Sequence, residues 1–205
     1  MNAKRGLWRR GLETLAAAVV GLATLNNPLH AGTFSYTTLT GDGDSGLTTD
    51  KTYSHAVSLV GNAATANGVV FEVANTSGTN WSFTGTNTYT GDSGAGSVAG
   101  NVGNVLRRFQ YGAGTVTLTG LIPGQSYVTT WYSKGWEAAG GRVIDISASD
   151  GGSTTFDQDV YGSGNGSLLQ YSFVAPGDGT MAYVFAPVNP GATFHMYGFT
   201  NELAS

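Results

Sequence analysis

From residue 33 onward the chain changes polarity every second position. Short runs of this kind, rich in β-branched and aromatic side chains, are separated by Gly, Asn, Asp and Ser, the pattern of strands joined by turns. In R-V-I-D-I-S-A, residues 142–148, Ile144, Ile146 and Ala148 share one face while Val143, Asp145 and Ser147 share the other. In residues 167–175, Leu169, Tyr171 and Phe173 line up against Leu168, Gln170 and Ser172. The pattern predicts strands near residues 33–40, 52–60, 68–74, 80–84, 115–121, 126–133, 142–149, 168–175, 181–187 and 193–200. One face of each is expected to turn inward and the other to stay wet, as in antiparallel sandwiches. Helical spacing occurs over residues 102–111, where Val102, Val105, Leu106 and Phe109 predict a short helix capping one end.

Many short strands with almost no helix predict an all-β fold: an antiparallel two-sheet β-sandwich or jelly roll with at most one short helix. No charge run, proline-rich linker or compositional break divides residues 32–205, which read as one domain. Residues 85–103, a Gly/Ser/Thr/Asn tract, carry no clear pattern and read as a mobile loop. The tetrapeptide G-D-S-G occurs at residues 43–46 and 91–94, but the flanking sequences do not match, so no repeat is assigned.

The N-terminus follows a different rule. Lys4, Arg5, Arg9 and Arg10 precede an apolar run at residues 15–25, and L-H-A at residues 29–31 ends on a small residue. This three-part pattern is that of a cleavable signal peptide over residues 1–31. The apolar run is shorter than the about 20 residues that span a bilayer, and no other run approaches that length. After cleavage five basic residues face twelve acidic ones, a net charge of −7. An acidic chain without a basic stripe does not suit a nucleic-acid backbone. Glycine is abundant, 32 of 205 residues against a usual ~7%, so the chain is rich in turns. Cysteine is absent, so thiol chemistry and thiolate metal sites are excluded and stability must come from a packed core.

Candidate chemistry is sparse. G-D-S-G resembles a serine-protease nucleophile, yet no Asp lies between His55 and Asp92, so the triad order for Ser93 fails; Ser45 has only His30 upstream, in the leader. An EF-hand beginning at Asp42 fails as well, with Gly46, Leu47 and Tyr53 at positions that need an oxygen ligand, a glycine and a glutamate. Two readings of T-G-D-G-D-S-G-L, residues 40–47, stay open: an Asx-type turn, and an irregular structural calcium site through Asp42 and Asp44. No other cofactor is expected. Asp150, Asp157 and Asp159 read as a solvated strand edge. His55 and His195 stand alone on separate strands and read as hydrogen-bonded strand histidines. The segment W-Y-S-K-G-W, residues 131–136, concentrates aromatic rings beside charge. Trp136 and Tyr132, with Arg142, are the ligand-binding candidates, because sugar rings stack on aromatic faces while charged or amide groups bond their hydroxyls. Sequons stand at Asn75, Asn80 and Asn165, relevant only in a glycosylating pathway.

The phrases T-G-D-G-D-S-G-L, K-T-Y-S-H-A-V, A-N-G-V-V-F, L-T-G-L-I-P-G-Q-S-Y, G-G-R-V-I-D-I-S-A-S-D-G-G and T-F-H-M-Y-G-F-T-N-E come in an order that resembles exported β-sandwich surface proteins of planctomycete- and verrucomicrobium-like bacteria. Residues 120–201 also resemble the galactose-binding-like jelly roll of many carbohydrate-binding modules. The resemblance implies a secreted or cell-surface, non-catalytic domain whose partner is a glycan or cell-surface polymer. The alternative is a structural or adhesive extracellular protein that binds protein partners or its own copies. Oligomeric state is not legible from the sequence.

Overall fold

The computed structural model describes residues 30–60, 63–85, 87–189, 191 and 193–204. Residues 1–29 of the expected leader lie outside the described residues. In chain order the strands are β1 (Thr33–Leu39), β2 (Tyr53–Leu59), β3 (Thr65–Ala66), β4 (Val69–Val70), β5 (Glu72–Ala74), β6 (Ser77–Gly78), β7 (Trp81–Phe83) and β8 (Asn87–Tyr89). They continue with β9 (Phe109–Tyr111), β10 (Gly114–Leu118), β11 (Ser126–Lys134), β12 (Val143–Ala148) and β13 (Ser153–Asp157). The last are β14 (Gly166–Val174), β15 (Met181–Pro187), β16 (His195–Met196) and β17 (Gly198–Leu203). Short 3-10 turns occupy Asp42–Asp44 and Val102–Arg107.

Among the described residues two six-stranded sheets face each other. The front sheet runs β1-β14-β11-β17-β2-β5 and the back sheet β13-β12-β15-β10-β7-β6. All neighbours are antiparallel except β2 and β5. This is the expected two-sheet sandwich. Its core lies between the sheets, where Trp131 meets Tyr183 edge-on at 4.7 Å and Leu169, Tyr171, Ile146, Phe185 and Phe199 fill the remainder.

A second apolar cluster covers the outer face of the front sheet. It holds Leu39, Phe71, Val98, Val105, Leu106, Tyr132, Leu168 and Tyr197. Adjacent residues such as Leu168 and Leu169, or Trp131 and Tyr132, therefore point to opposite faces and are buried on both. The expectation of one wet face fails here because residues 87–111 fold back over it. At about 2 kcal/mol for each fully buried aliphatic side chain, covering that face contributes as a core does.

The covering segment includes the tract expected to be mobile. Ala99 N–H donates to Thr40 O (2.8 Å), Ser97 N–H to Gly164 O (2.8 Å), and Ser93 N–H to Arg107 O (2.9 Å). Gly96 has a positive φ of 66°, and a Cβ there would meet Gly164 O at 2.0 Å, so this close approach requires glycine. The predicted helix over residues 102–111 is also revised. Val102–Arg107 form a 3-10 turn burying Val102, Val105 and Leu106, whereas Phe109–Tyr111 leave it to pair with β8 and β16. Helical spacing of those apolar residues served burial, while sheet pairing took the backbone of the last three. Strand β13 supplies the strand edge expected around Asp157.

Candidate functional site

Strands β16, β9 and β8 form a small sheet, with His195 opposite Tyr111 and Tyr89 opposite Phe109. Alternation puts Phe109 and Tyr111 on one face, and His195 and Tyr197 on one side of their segment. The rings then assemble. Tyr89 stacks on Phe109 (4.8 Å, 9°), and Phe109 stacks on His195 (4.0 Å, 19°). Trp136 stands edge-on to His195 (5.0 Å, 85°) and Phe109 (5.5 Å, 72°). With Tyr111 and Thr193 these residues line a shallow bowl of about 180 Å³. Trp136 is 37% exposed, so one large ring remains available at the rim.

The loop carrying Trp136 is fixed from below. Asp159 Oδ1 accepts the N–H groups of Trp136 (2.5 Å) and Glu137 (3.0 Å), and Ser163 Oγ donates to Trp136 O (3.1 Å). Gln158 holds β16, donating through Nε2 to His195 O (2.8 Å) and accepting His195 N–H at Oε1 (2.9 Å). Arg142 Nη2 donates to Glu137 Oε1 (2.8 Å), and Nη1 donates to Thr193 O (2.9 Å) and Oγ1 (2.8 Å). Thr193 Oγ1, which accepts from Arg142, also lies 3.4 Å from His195 Nε2.

Charge in this region is controlled by burial. The His195 pKa is pushed down to about 3 by burial, then by the Arg142 and Lys134 charges, so the ring is neutral at ordinary pH. Burial also pushes Lys134 down to about 8, with Asp92 opposing the shift and Arg107 adding to it. Its ammonium donates to Ser93 O (2.8 Å) and Gly94 O (2.5 Å) and lies 6.0 Å and 5.7 Å from the Trp136 and Tyr197 rings. Burial raises the Tyr197 hydroxyl, Arg142 pulling it back and Asp159 adding to the rise, so it stays protonated. Beneath the bowl, Arg142 Nε, Asp159 Oδ2, His195 Nδ1 and the Tyr197 hydroxyl are buried with no hydrogen-bond partner among the described residues. Leaving such a group unpaired costs about 1–3 kcal/mol. Here the four come from residues that share one neighbourhood.

Of the sequence candidates, the structure brings Trp136 and Arg142 together and does not bring Tyr132. Tyr132 is 2% exposed, packed edge-on to Phe71 (5.9 Å), with its hydroxyl 3.3 Å from Ser45 O and 3.4 Å from Thr200 Oγ1. Alternation along β11 turns it onto the outer face that residues 87–111 cover, so its ring is core and no ligand surface. Asp42 and Asp44 are likewise placed in turn roles. Asp42 Oδ2 and Oδ1 accept the N–H groups of Asn101 (2.9 Å) and Val102 (2.7 Å). Asp44 accepts both the N–H and hydroxyl of Thr40 and the N–H of Gly41. N–H groups point at all four carboxylate oxygens, the hydrogen bonding of an Asx-type turn. Among the described residues no group of three His, Asp or Glu is placed to hold a metal ion.

Two further expectations change. Asp159 is fully buried behind Trp136, so only Asp157 keeps a place near the edge. His55 does form strand hydrogen bonds, Nε2 to Asn80 O (2.9 Å) and Nδ1 to Ser54 Oγ (3.0 Å), whereas His195 keeps an orphan nitrogen. Sequence reasoning missed Tyr89, Phe109, Tyr111 and Thr193 altogether. The alternation in F-Q-Y and H-M-Y was the available signal; the pairing of those segments was not. A larger cleft of about 420 Å³, lined by Lys51, Tyr53, His55 and Glu72 among others, lies at the β2–β4–β5 side.

No protein-family model and no curated protein matches the chain. Solved structures do. The fold is similar to the extracellular domain of ANXUR1 (TM-score 0.53, 9% identity, 75% of this chain and 49% of that chain). It is equally similar to the extracellular domain of ANXUR2 from Arabidopsis thaliana (TM-score 0.52, 9% identity, 75% and 49%). The likeness is one of fold. The chain spans about half the length of the solved chains it matches. Those neighbours are extracellular domains, and among the described residues no helix is long and apolar enough to cross a membrane.

Proposed function

We propose that this is a secreted or cell-surface, non-catalytic domain that binds a glycan or cell-surface polymer, laying one sugar ring in the bowl against Trp136. The observation that carries the reading is a partly exposed indole standing over a floor of stacked rings. A pyranose offers an apolar C–H face for an aromatic ring and hydroxyls that donate and accept together. Its hydroxyls would meet the hydroxyl-bearing side chains that line the bowl, Thr193, Tyr89 and Tyr111. The bowl is smaller than the ~300–1,000 Å³ of sites that enclose a drug-sized ligand, which suits a ring laid on a surface. A binding role is further supported by His195, whose imidazole, held neutral down to about 3, is a weak base for catalysis.

Affinity electrophoresis on a polysaccharide panel, followed by calorimetry on any glycan retained, tests this with wild type, Trp136→Ala and Val70→Thr. Val70 is an exposed residue of the larger cleft. Removal of the indole is expected to weaken binding by about 10- to 100-fold, the loss of its area and stacking, while Val70→Thr binds as wild type. Equal binding by the wild type and Trp136→Ala would remove the site.

A further inference from the structure

The backbone nitrogen of Gly32, one residue before β1, sits in a prepared niche. It lies 3.0 Å from Asp150 Oδ2 and 2.8 Å from the Tyr171 hydroxyl oxygen. Tyr171 in turn donates to Asp150 Oδ1 (2.5 Å), which also accepts Gly152 N–H (3.1 Å). Asp150 is 8% exposed and Tyr171 fully buried. No Lys or Arg pairs with Asp150 among the described residues, where the ion pairs are Lys51–Glu202, Arg107–Asp92 and Arg142–Glu137. A buried carboxylate without a cation is an unfavourable arrangement that folds seldom keep.

A peptide N–H brings one hydrogen to these two acceptors. An α-ammonium brings three hydrogens and the missing positive charge. The niche is also specific for the residue it holds. A Cβ at position 32 would meet Ser172 O at 2.4 Å and Tyr171 Cζ at 2.5 Å, so only glycine fits. Independently of this geometry, the leader pattern places its cut after the small residue Ala31, and Ala31 is exposed. The sequence rule and the niche meet at one peptide bond.

We propose that the Ala31–Gly32 bond is a maturation site, and that the Gly32 α-ammonium released there docks as the buried counter-ion of Asp150, fastening β1 to β14. In the hydrolysis, water supplies the oxygen that makes Ala31 a carboxylate and the two hydrogens that make Gly32 an ammonium, so no further reactant is consumed. The cut itself falls to an export-side endopeptidase that cleaves after small residues. Once docked, the terminus sits next to the pairing of Thr33 with Ser172 and completes the edge of the front sheet.

The full-length chain, expressed for export, is expected to yield a product whose N-terminal sequence starts at Gly32. That product is then compared in thermal unfolding with a chain that keeps Ala31 as one extra residue. The processed form should melt higher by about 5 °C, as a charge-assisted pair in a domain of this size implies. Asp150→Asn should abolish the difference. Should Asp150→Asn not fold, Gly32→Ala in both forms serves instead, since its methyl keeps the terminus out of the niche and should equalise the two. A start at another residue, equal melting of the two wild-type forms, or a difference that survives Asp150→Asn or Gly32→Ala would overturn the proposal.

Discussion

The aromatic bowl and the Asp42–Asp44 turn were the two places where the sequence offered chemistry, and they differ in how their polar atoms are used. At the turn every carboxylate oxygen of Asp42 and Asp44 receives a hydrogen bond from the chain, two of them across about sixty residues. Around the bowl Arg142, Asp159 and Tyr197 each keep a buried polar atom with no partner among the described residues. Folding satisfies the first set of groups and leaves the second set buried and unsatisfied beside the bowl. Size does not separate them, because the larger cleft at Lys51, Tyr53 and His55 has its polar groups engaged: Lys51 with Glu202, His55 with Asn80 and Ser54.

Tyr132 gives the largest test of that contrast, because sequence alone put it beside Trp136 and the structure puts it on the turn side. Tyr132→Ala should cost about 3–5 kcal/mol in urea unfolding, as for other large aromatic truncations in a core. Tyr132→Phe removes only long contacts to Ser45 O and Thr200 Oγ1, and should cost under about 1 kcal/mol while glycan affinity stays at the wild-type value. Weaker binding by a folded Tyr132→Phe would return Tyr132 to the site and break the contrast.

His195 sharpens it from the bowl. Its ordinary pKa of 6.5 falls to about 3 in the fold, so between those values the unfolded chain binds more protons than the native one. Stability from keeping this ring neutral is complete above pH 6.5 and is lost progressively as pH falls toward 3. By pH 5 the loss is about 2 kcal/mol. Urea titrations at pH 7 and pH 5 should show wild type losing that much more than His195→Gln. Equal losses would mean that His195 is not buried neutral beneath the bowl. His55 is shifted in the same direction, chiefly by burial, with its Asn80 bond and the Glu72 charge opposing.

The strands at β1, β2, β11, β12, β14 and β15 were legible because period-2 alternation needs only local sequence. The small sheet was not. Asn87–Tyr89 lies in a Gly/Ser tract, and Phe109 continues an apparent helical stripe, so neither announces a strand without its partner. Burial of Leu168 and Leu169 on opposite faces was equally hidden, since it depends on residues 87–111 returning over the front sheet. Trp136 and Arg142 could be found because charge and ring composition are local properties. Asp159, His195 and Tyr197 join them only through a turn after β13 and the pairing of β16 with β9, contacts that no spacing rule encodes.

The smallest effect is expected at the turn, where Asp42 bridges to the start of the 3-10 segment Val102–Arg107. Asp42→Ala leaves the N–H groups of Asn101 and Val102 without their acceptor and should cost about 1–2 kcal/mol, the scale of a lost cap. Because that segment packs Val102, Val105 and Leu106 against the sheet, the loss should appear as weaker global stability and leave bowl affinity unchanged. Adding calcium or chelator should not shift the melting of wild type, since N–H donors already face these oxygens. If calcium raised the wild-type melting temperature and Asp44→Ala removed the rise, the turn would have unused binding capacity, and hydrogen-bond satisfaction would no longer distinguish the two regions.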